Sequence, residues 1–459
     1  MILLLLACPG LEKTPEDSSE TPIESTEAST ILMGVPNQAL GTAVAIGDYN
    51  GDGVGDLAAS AYAGGPTCVF AGPPAEGKLP LSQGACYTPV DPYDFAGFSI
   101  ATAGDTDGNG VEELAVGAIG ASVTVGEAGA VYLVGATGGA LAEAAVLLEG
   151  EVELDYAGSW VAGAGDVNGD QTADLLVGAT GNDEGGPGGG KAYLLYGPIS
   201  SGILGQTGAS FVGAGQVAVR HATPGAGDGV GYALAGVGDT NGDGFDDVLV
   251  GAAGNDEGGM DAGKACLFLG PVTDGVHGLE QADGVLRGAA EAAYAGDRVG
   301  AAGDSNGDGN ADLLISADGA GGQTGTVYLW EGPVEGEFSL ADAPVAWTGE
   351  KEGDQAGYAM VGGQDLDADG QVDLAIGAWA FDGVGLDSGR TYLVFGPFAR
   401  GTTELGAMAH FDAPSEGEYA GRSLAAGQVG GDSGAGVLIG APFASQEGVI
   451  AGRAYLIQP

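Results

Sequence analysis

Positive charge is what this chain has least of. Its 459 residues carry 12 lysines and arginines against 63 aspartates and glutamates, for a net charge of −51. Such a surface repels polyphosphates and anionic lipid headgroups, so the chain is expected to bind no nucleic acid. Histidine is nearly as scarce. His221, His277 and His410 stand apart, none at a metal-ligand spacing or beside a nucleophile. Cysteine is limited to Cys8, Cys68, Cys86 and Cys266. Cys68 and Cys86 flank a turn-rich segment, and two readings stay open: a disulfide formed in an oxidising compartment, or two small buried thiols. Cys266, inside an apolar run, reads as a buried thiol. No long apolar run and no convincing helical period is present. The stretch 2–7 is too short to span a bilayer.

What is abundant is glycine and acid. Glycine (93) and proline (20) make up about a quarter of the chain, a composition that without periodicity signals low complexity. Here the glycines recur at fixed offsets beside apolar strands, and much of the acid is gathered in short loops. A chain built this way needs cations at defined places.

The start of the chain reads differently from the rest. Leu5-Leu6-Ala7-Cys8 resembles a bacterial lipobox, in which the cysteine is acylated and becomes the mature N-terminus. The basic segment that precedes the apolar core of a signal peptide is missing, which places the expected start of translation upstream. Residues 9–29, rich in Glu, Ser, Thr and Pro, suit a solvated tether. The expected organisation is a signal segment 1–8, a linker 9–29 and a folded domain 30–459.

Seven segments of that domain align: 41–61, 97–118, 158–179, 231–252, 296–317, 357–378 and 421–441. Each reads as an apolar strand, an acidic glycine-rich loop and a second apolar strand. The loops begin at Asp48, Asp105, Asp166, Asp239, Asp304, Asp365 and, in degenerate form, Gln428. A repeat of roughly sixty residues with several short strands fits propeller blades better than a helical solenoid. In the fourth repeat, strands a to d are expected at 232–237, 248–252, 264–269 and 284–288. The third-strand signature recurs at 130–134, 191–196, 326–330, 390–395 and 453–457. The last repeat ends at its third strand, while 30–34 lies where a fourth strand would precede the first repeat. The expected fold is therefore all-β: a seven-bladed β-propeller of four-stranded antiparallel blades, closed by the N-terminal strand joining the last blade and leaving no open edge.

The loops carry the chemistry. The first is Asp48-Tyr49-Asn50-Gly51-Asp52-Gly53-Val54-Gly55-Asp56. It offers side-chain oxygens at positions 1, 3, 5 and 9, and the backbone carbonyl of Val54 at position 7. Calcium takes six to eight hard oxygen ligands, and a tight loop aims alternate side chains at one point. Glycines at positions 4 and 6 permit the positive φ such a turn demands. The other candidate ligand sets are Asp105, Asp107, Asn109, Val111 and Glu113; Asp166, Asn168, Asp170, Thr172 and Asp174; Asp239, Asn241, Asp243, Phe245 and Asp247; Asp304, Asn306, Asp308, Asn310 and Asp312; and Asp365, Asp367, Asp369, Gln371 and Asp373. The seventh loop has only Asp432 among Gln428, Gly430, Gly434 and Gly436, and is expected to have lost its metal. One such loop could be a metal-free hairpin turn; six in register point to about six calcium sites. Strand flanks and the lack of a twelfth-position glutamate exclude an EF-hand.

The run Gly-Asp-x-Asn-Gly-Asp-Gly-x-x-Asp-Leu followed by Val-Gly-Ala, with an aromatic pair such as Tyr156-Ala157-Gly158 ahead of it, resembles the FG-GAP repeat of integrin α-subunits and related bacterial surface proteins. The resemblance covers about nine-tenths of the chain. It implies a seven-bladed propeller with calcium in the a–b loops, on the face opposite the usual ligand surface. Adhesion does not transfer with the fold.

The reading that follows is a non-catalytic, calcium-stabilised binding or scaffold module at the cell surface. Its partner would be an extracellular protein or carbohydrate, its membrane attachment a lipid on Cys8, and its ring monomeric. The b–c loops form the expected ligand face. Two are near copies, 181–186 and 254–259, and another carries Trp379, Phe381 and Asp382; solvated loop tips with a packed ring or two are the plainer account of all three. The alternative function is a propeller hydrolase or lyase acting on an extracellular polymer, with Arg220 and His221, in the longest spacing between loops, as its candidate insertion.

Overall fold

A computed structural model describes residues 23–24, 28–61, 64–206, 208–213, 227–430, 435–446 and 449–458. Cys8 and its apolar run, most of the linker, Arg220, His221, Asp432 and Gly434 lie outside the described residues.

The second strand of each repeat explains the architecture. Leu57, Leu114, Leu175, Val248, Leu313, Leu374 and Val437 open runs such as Asp174–Ala179 and Asp247–Ala252 in which every residue is buried. A strand with no solvent face needs a sheet packed against each side. The seven sheets meet that need by standing around one axis. Their antiparallel cores run, from axis to rim, Val44–Gly47, Asp56–Ser60, Thr67–Phe70 and Ala85–Thr88 in blade 1, and Leu234–Gly238, Asp247–Ala252, Lys264–Phe268 and Gly284–Arg287 in blade 4. Third strands at Ala130–Val134, Lys191–Leu195, Thr326–Trp330, Arg390–Val394 and Arg453–Ile457 agree with the expected positions to within a residue. Closure is as expected. Thr30–Met33 pairs antiparallel with Arg453–Ile457, so both ends of the chain build blade 7.

Among the described residues the core is divided: seven hydrophobic clusters each lie between two neighbouring blades, for example Leu57, Phe70, Leu438 and Leu456 between blades 1 and 7. At about 1.5–3 kcal/mol per buried Leu, Val or Phe side chain, blade-to-blade packing is what holds the ring.

Two features go beyond the expected four-stranded blade. Each sheet has a fifth strand, parallel to strand d and supplied by the c–d connection of the next blade: Gly275–Gly278 of blade 4 on Ala209–Val212 of blade 3, and Gly336–Ser339 of blade 5 on Gly284–Arg287 of blade 4. Gly77–Pro80 of blade 1 does the same on Thr30–Met33 of blade 7, and Ile23–Glu24 pairs with Ala409–Asp412 of blade 6. Buried leucines such as Leu81, Leu141, Leu279, Leu340 and Leu405 follow these strands in short 3-10 turns and anchor them.

The second feature accounts for the repeat's glycines. In the Val-Gly-Ala of strand b, or Ile-Gly-Ala in blade 6, a Cβ on Gly117, Gly178, Gly251 or Gly377 would sit 2.1–2.2 Å from the carbonyl oxygen of Gly158, Gly231, Gly296 or Gly421 in the next blade. The two glycine signatures are thus the two halves of one contact. The aromatic ahead of each pair, Phe95, Tyr156, Tyr294 or Tyr419, has a φ of 52–55°, a left-handed turn into strand a.

The disulfide alternative holds for Cys68 and Cys86, which face each other on strands c and d of blade 1 and are bonded. Cys266 is a buried thiol whose pKa burial pushes up to about 12, leaving it inert.

Candidate functional site

All the a–b loops emerge at one end of the ring. In the first, Asp48 Oδ1 accepts hydrogen bonds from the N–H groups of Gly51 and Asp52 at 2.8 and 3.1 Å, and Oδ2 from Gly53 at 2.8 Å. Asn50 Oδ1 accepts from Asp52 N–H and Asp52 Oδ1 from Val54 N–H, both at 2.9 Å. The odd-numbered side chains are thereby turned inward along the loop. The pattern recurs around Asp105, Asp166, Asp239, Asp304 and Asp365. Burial works against the Asp239 charge, but four such N–H donors outweigh it and hold its pKa below the ordinary carboxylate value.

Positions 4 and 6 are left-handed in all six loops. Gln171 (φ 71°) and Ala368 (φ 61°) hold that conformation where the other loops have glycine.

The ninth residue does more than sequence reasoning assigned to it. Asp56, Asp174, Asp247 and Asp312 are fully buried, and Asp373 nearly so. Asp174 Oδ2 accepts from Val167 N–H at 2.9 Å, closing its own loop, while Oδ1 accepts from Gly197 N–H at 2.9 Å, tying the loop to the end of strand c. Asp56, Asp247, Asp312 and Asp373 make the same pair of bonds, to Tyr49 and Gly72, Thr240 and Gly270, Ser305 and Gly332, and Leu366 and Gly396. Asp56 Oδ1, Asp247 Oδ2 and Asp312 Oδ2 each accept a second bond, from Asn50 Nδ2, Thr240 Oγ1 and Ser305 Oγ, while the other oxygen of each takes one N–H and keeps a lone pair. Burial raises the pKa of all five and of Glu113; Asp174 reaches about 6, with its backbone donors opposing the rise and the charges of Asp170 and Asp166 adding to it.

Oxygens of Asp105, Asp107 and Glu113 lie within 4.8 Å of one another, as do those of Asp365, Asp367 and Asp373. These are the two loops with a carboxylate at position 3; the other four place an asparagine amide there. Neighbouring loops are joined by backbone hydrogen bonds from position 8 to the position 1 carbonyl of the blade before: Glu112 to Asp48, Ala173 to Asp105, Asp246 to Asp166 and Ala311 to Asp239, at 2.9–3.2 Å. Gly55 N–H donates to Gln428 O at 3.1 Å, so the degenerate seventh loop still carries this link.

The b–c loops are at the other end, where Asp183, Glu184, Asp256 and Glu257 are exposed and Asn182 and Asn255 are buried beneath them. Asn182 donates to Asp155 and Asn255 to Asp228, both at 2.9 Å and both buried. Glu184 bonds Lys191, and Glu257 bonds Lys264 and Arg287. Phe381 is buried beneath the Arg390 guanidinium, 3.9 Å from its centroid. These near-copy loops are braces between blades. His277 lies against Thr273 O at 2.8 Å and stacks near Phe211; His410 bonds Met408 O at 3.0 Å and lies edge-on to Tyr392.

What sequence reasoning missed is the axis at this end. There the first residues of strand a from all seven blades surround a cavity of about 530 Å3. It is lined by Arg298, Arg422, Trp160, Tyr358, Tyr232 and Phe98 among others.

With this geometry in hand, the similarities to known proteins fall into place. The FG-GAP repeat model matches residues 40–78, which hold the first acidic loop and three strands of blade 1. Integrin alpha pat-2 of Caenorhabditis briggsae is 30% identical over 246 residues, covering 50% of this chain and 18% of that protein. Integrin alpha-PS2 of Drosophila melanogaster is 33% identical over 167 residues, covering 34% and 12%, and integrin alpha-5 of Xenopus laevis 29% over 160 residues, covering 33% and 15%. The matched region is less than a fifth of each of these relatives. The chain thus carries an FG-GAP repeat within a seven-bladed propeller and is similar to integrin α-subunits over up to half its length.

Proposed function

We propose that this protein is a calcium-stabilised, non-catalytic binding or scaffold propeller that works outside the cell. The observation that carries the reading is the set of six loops in one register, each with its position 1 carboxylate held by backbone N–H groups and its odd-numbered oxygens turned inward. All the side-chain donors are hard oxygens, with no nitrogen or sulfur ligand, which suits calcium. The ligand sets are those named from the sequence, with the ninth residue shared between metal and backbone. A divalent ion offsets the mutual repulsion and burial that raise the pKa of Asp174 and its counterparts.

The organisation we propose is an acylated Cys8, a tether from residue 9 whose far end, Ile23–Glu24, already pairs with blade 6, and the ring from residue 30, placing the protein at a bacterial cell surface. Among the described residues no helix is long and apolar enough to cross a membrane. The relatives' integrin character supports an extracellular protein partner, and the ring is proposed to act as a monomer.

The test is calorimetry on the metal-stripped chain. Calcium titration should show about six sites, and each adds about 2.7 kcal/mol of stability at a free concentration one hundred times its Kd. A thermal transition unmoved by calcium or by chelator would overturn the reading.

A further inference from the structure

We propose that the axial cavity opposite the acidic loops is a binding site for an organic carboxylate attached to a flat, weakly polar ring. The site deepens the binding-module reading and rests on it.

Its charge is the first argument. The chain has 63 acidic residues and 12 basic ones, yet no acid lines the cavity and two arginines do. Arg298 lies over Tyr358 and Trp160, 4.5 and 5.2 Å from their ring centroids, and is oriented by hydrogen bonds to the backbone and carboxylate of Asp297 at 2.6 and 2.9 Å. Its charge is therefore largely met. Arg422 lies over Tyr358 and Trp379, at 5.4 and 5.5 Å. Arg287, Arg298, Arg390, Arg400 and Arg453 each bond a carboxylate; among the described residues Arg422 is the one arginine that does not. In a protein with about five acids per base, a guanidinium held against aromatic faces in an acid-free cavity is a charge reserved for something that arrives.

Shape and chemistry select the ligand. The volume is within the range of small-molecule sites. A guanidinium fork matches a carboxylate in two parallel hydrogen bonds, and one uncompensated cation matches a monoanion. A dianion would leave a surplus negative charge buried in an already acidic protein. Trp160 spends its indole N–H on Leu234 O at 2.9 Å and so offers only its ring. Tyr232 and Phe98, 41% and 40% exposed at the mouth, present further aromatic surface for a ring to lie against.

The test is isothermal titration of the calcium-loaded full chain with two monoanionic ring acids, 2-naphthoate and indole-3-acetate, and with neutral 2-naphthamide. At least one acid should bind more tightly than on the order of 1 mM, and the amide at least about tenfold more weakly than naphthoate if that is the acid that binds. Arg422→Gln should weaken the bound acid at least about tenfold while the calcium-dependent melting shift stays as in the parent. Should Arg422→Gln not fold, Arg422→Lys and Tyr232→Ala replace it, each with a loss of at least about threefold. Binding of neither acid, an amide that binds as well as naphthoate, or variants that leave affinity unchanged would each overturn the proposal. Because calcium binding is read separately from the melting shift, loss of the carboxylate site and failure of the calcium reading are distinguishable.

Discussion

The two ends of the propeller solve opposite electrostatic problems with the same inner strand. Where strand a finishes, carboxylates crowd into loops such as 48–56, their first carboxylates satisfied by backbone N–H groups, and backbone hydrogen bonds such as Glu112 to Asp48 link neighbouring loops. Where strand a begins, Lys191 pairs with Glu184 of its own blade and Glu151 of the blade before, and the axis is left to aromatic rings and two arginines. On the proposed function the contrast separates holding from recognising: one end would be locked by cations, while the other keeps an aromatic cavity. Blade-to-blade packing connects them, since the glycine contacts of strand b and the fifth strands keep all seven blades in register.

The contrast can be broken most severely by removing calcium. Chelation should lower the melting temperature by on the order of ten degrees, read by differential scanning calorimetry, because every blade carries or adjoins a loop. A finer cut separates the residues of one loop. Asp174→Ala orphans the buried N–H groups of Val167 and Gly197, so it should destabilise by about 2–4 kcal/mol in urea unfolding even with chelator present. Asp170→Ala, exposed in the same loop, should cost stability only when calcium is supplied.

The recognition end has its own signature in pH. Asp318 lies just beyond strand b of blade 5, and its carboxyl is pushed up to about 7, chiefly by burial and then by the charge of Asp297, with Arg298 opposing. The folded state thus holds this proton more tightly than the unfolded chain, where the pKa is near the ordinary 3.8. Stability from this group is present at low pH and is lost as pH rises through about 7. Asp318→Asn should raise stability at pH 8 by on the order of 1 kcal/mol and flatten that part of the profile, as measured by thermal melts from pH 5.5 to 8.5. The smallest effect is expected at the left-handed positions of the metal loops. Gln171→Gly or Ala368→Gly should stabilise by up to about 1 kcal/mol, the relief of left-handed backbone strain less glycine's entropy.

Most of the ring was legible because its signals are local and repeated. Six acidic loops in one period, an apolar strand on each side and a spare strand at Thr30–Met33 suffice to draw seven blades and their closure. The fifth strands were not legible: pieces such as Gly275–Gly278 and Gly401–Glu404 are short, glycine-led and partly exposed, and they pair only with another blade. The ninth loop residue read as a ligand because its spacing is all a sequence displays; the second bond it accepts, from Gly197 N–H to Asp174, spans two strands and the loop between them. The axial cavity was hidden for the opposite reason to the loops. Its residues, from Phe98 to Arg422, come from separate blades and form no pattern along the chain.

Blade 7 has a consequence for synthesis. Its strand Thr30–Met33 can pair early with Gly77–Pro80 but must wait for Arg453–Ile457 before it finds its antiparallel neighbour. Until then the nascent chain is an arc with bare strand edges, and its slowest event is the joining of residues more than four hundred positions apart. A growing chain of this kind gains from a chaperone that shields those edges until the final strand emerges.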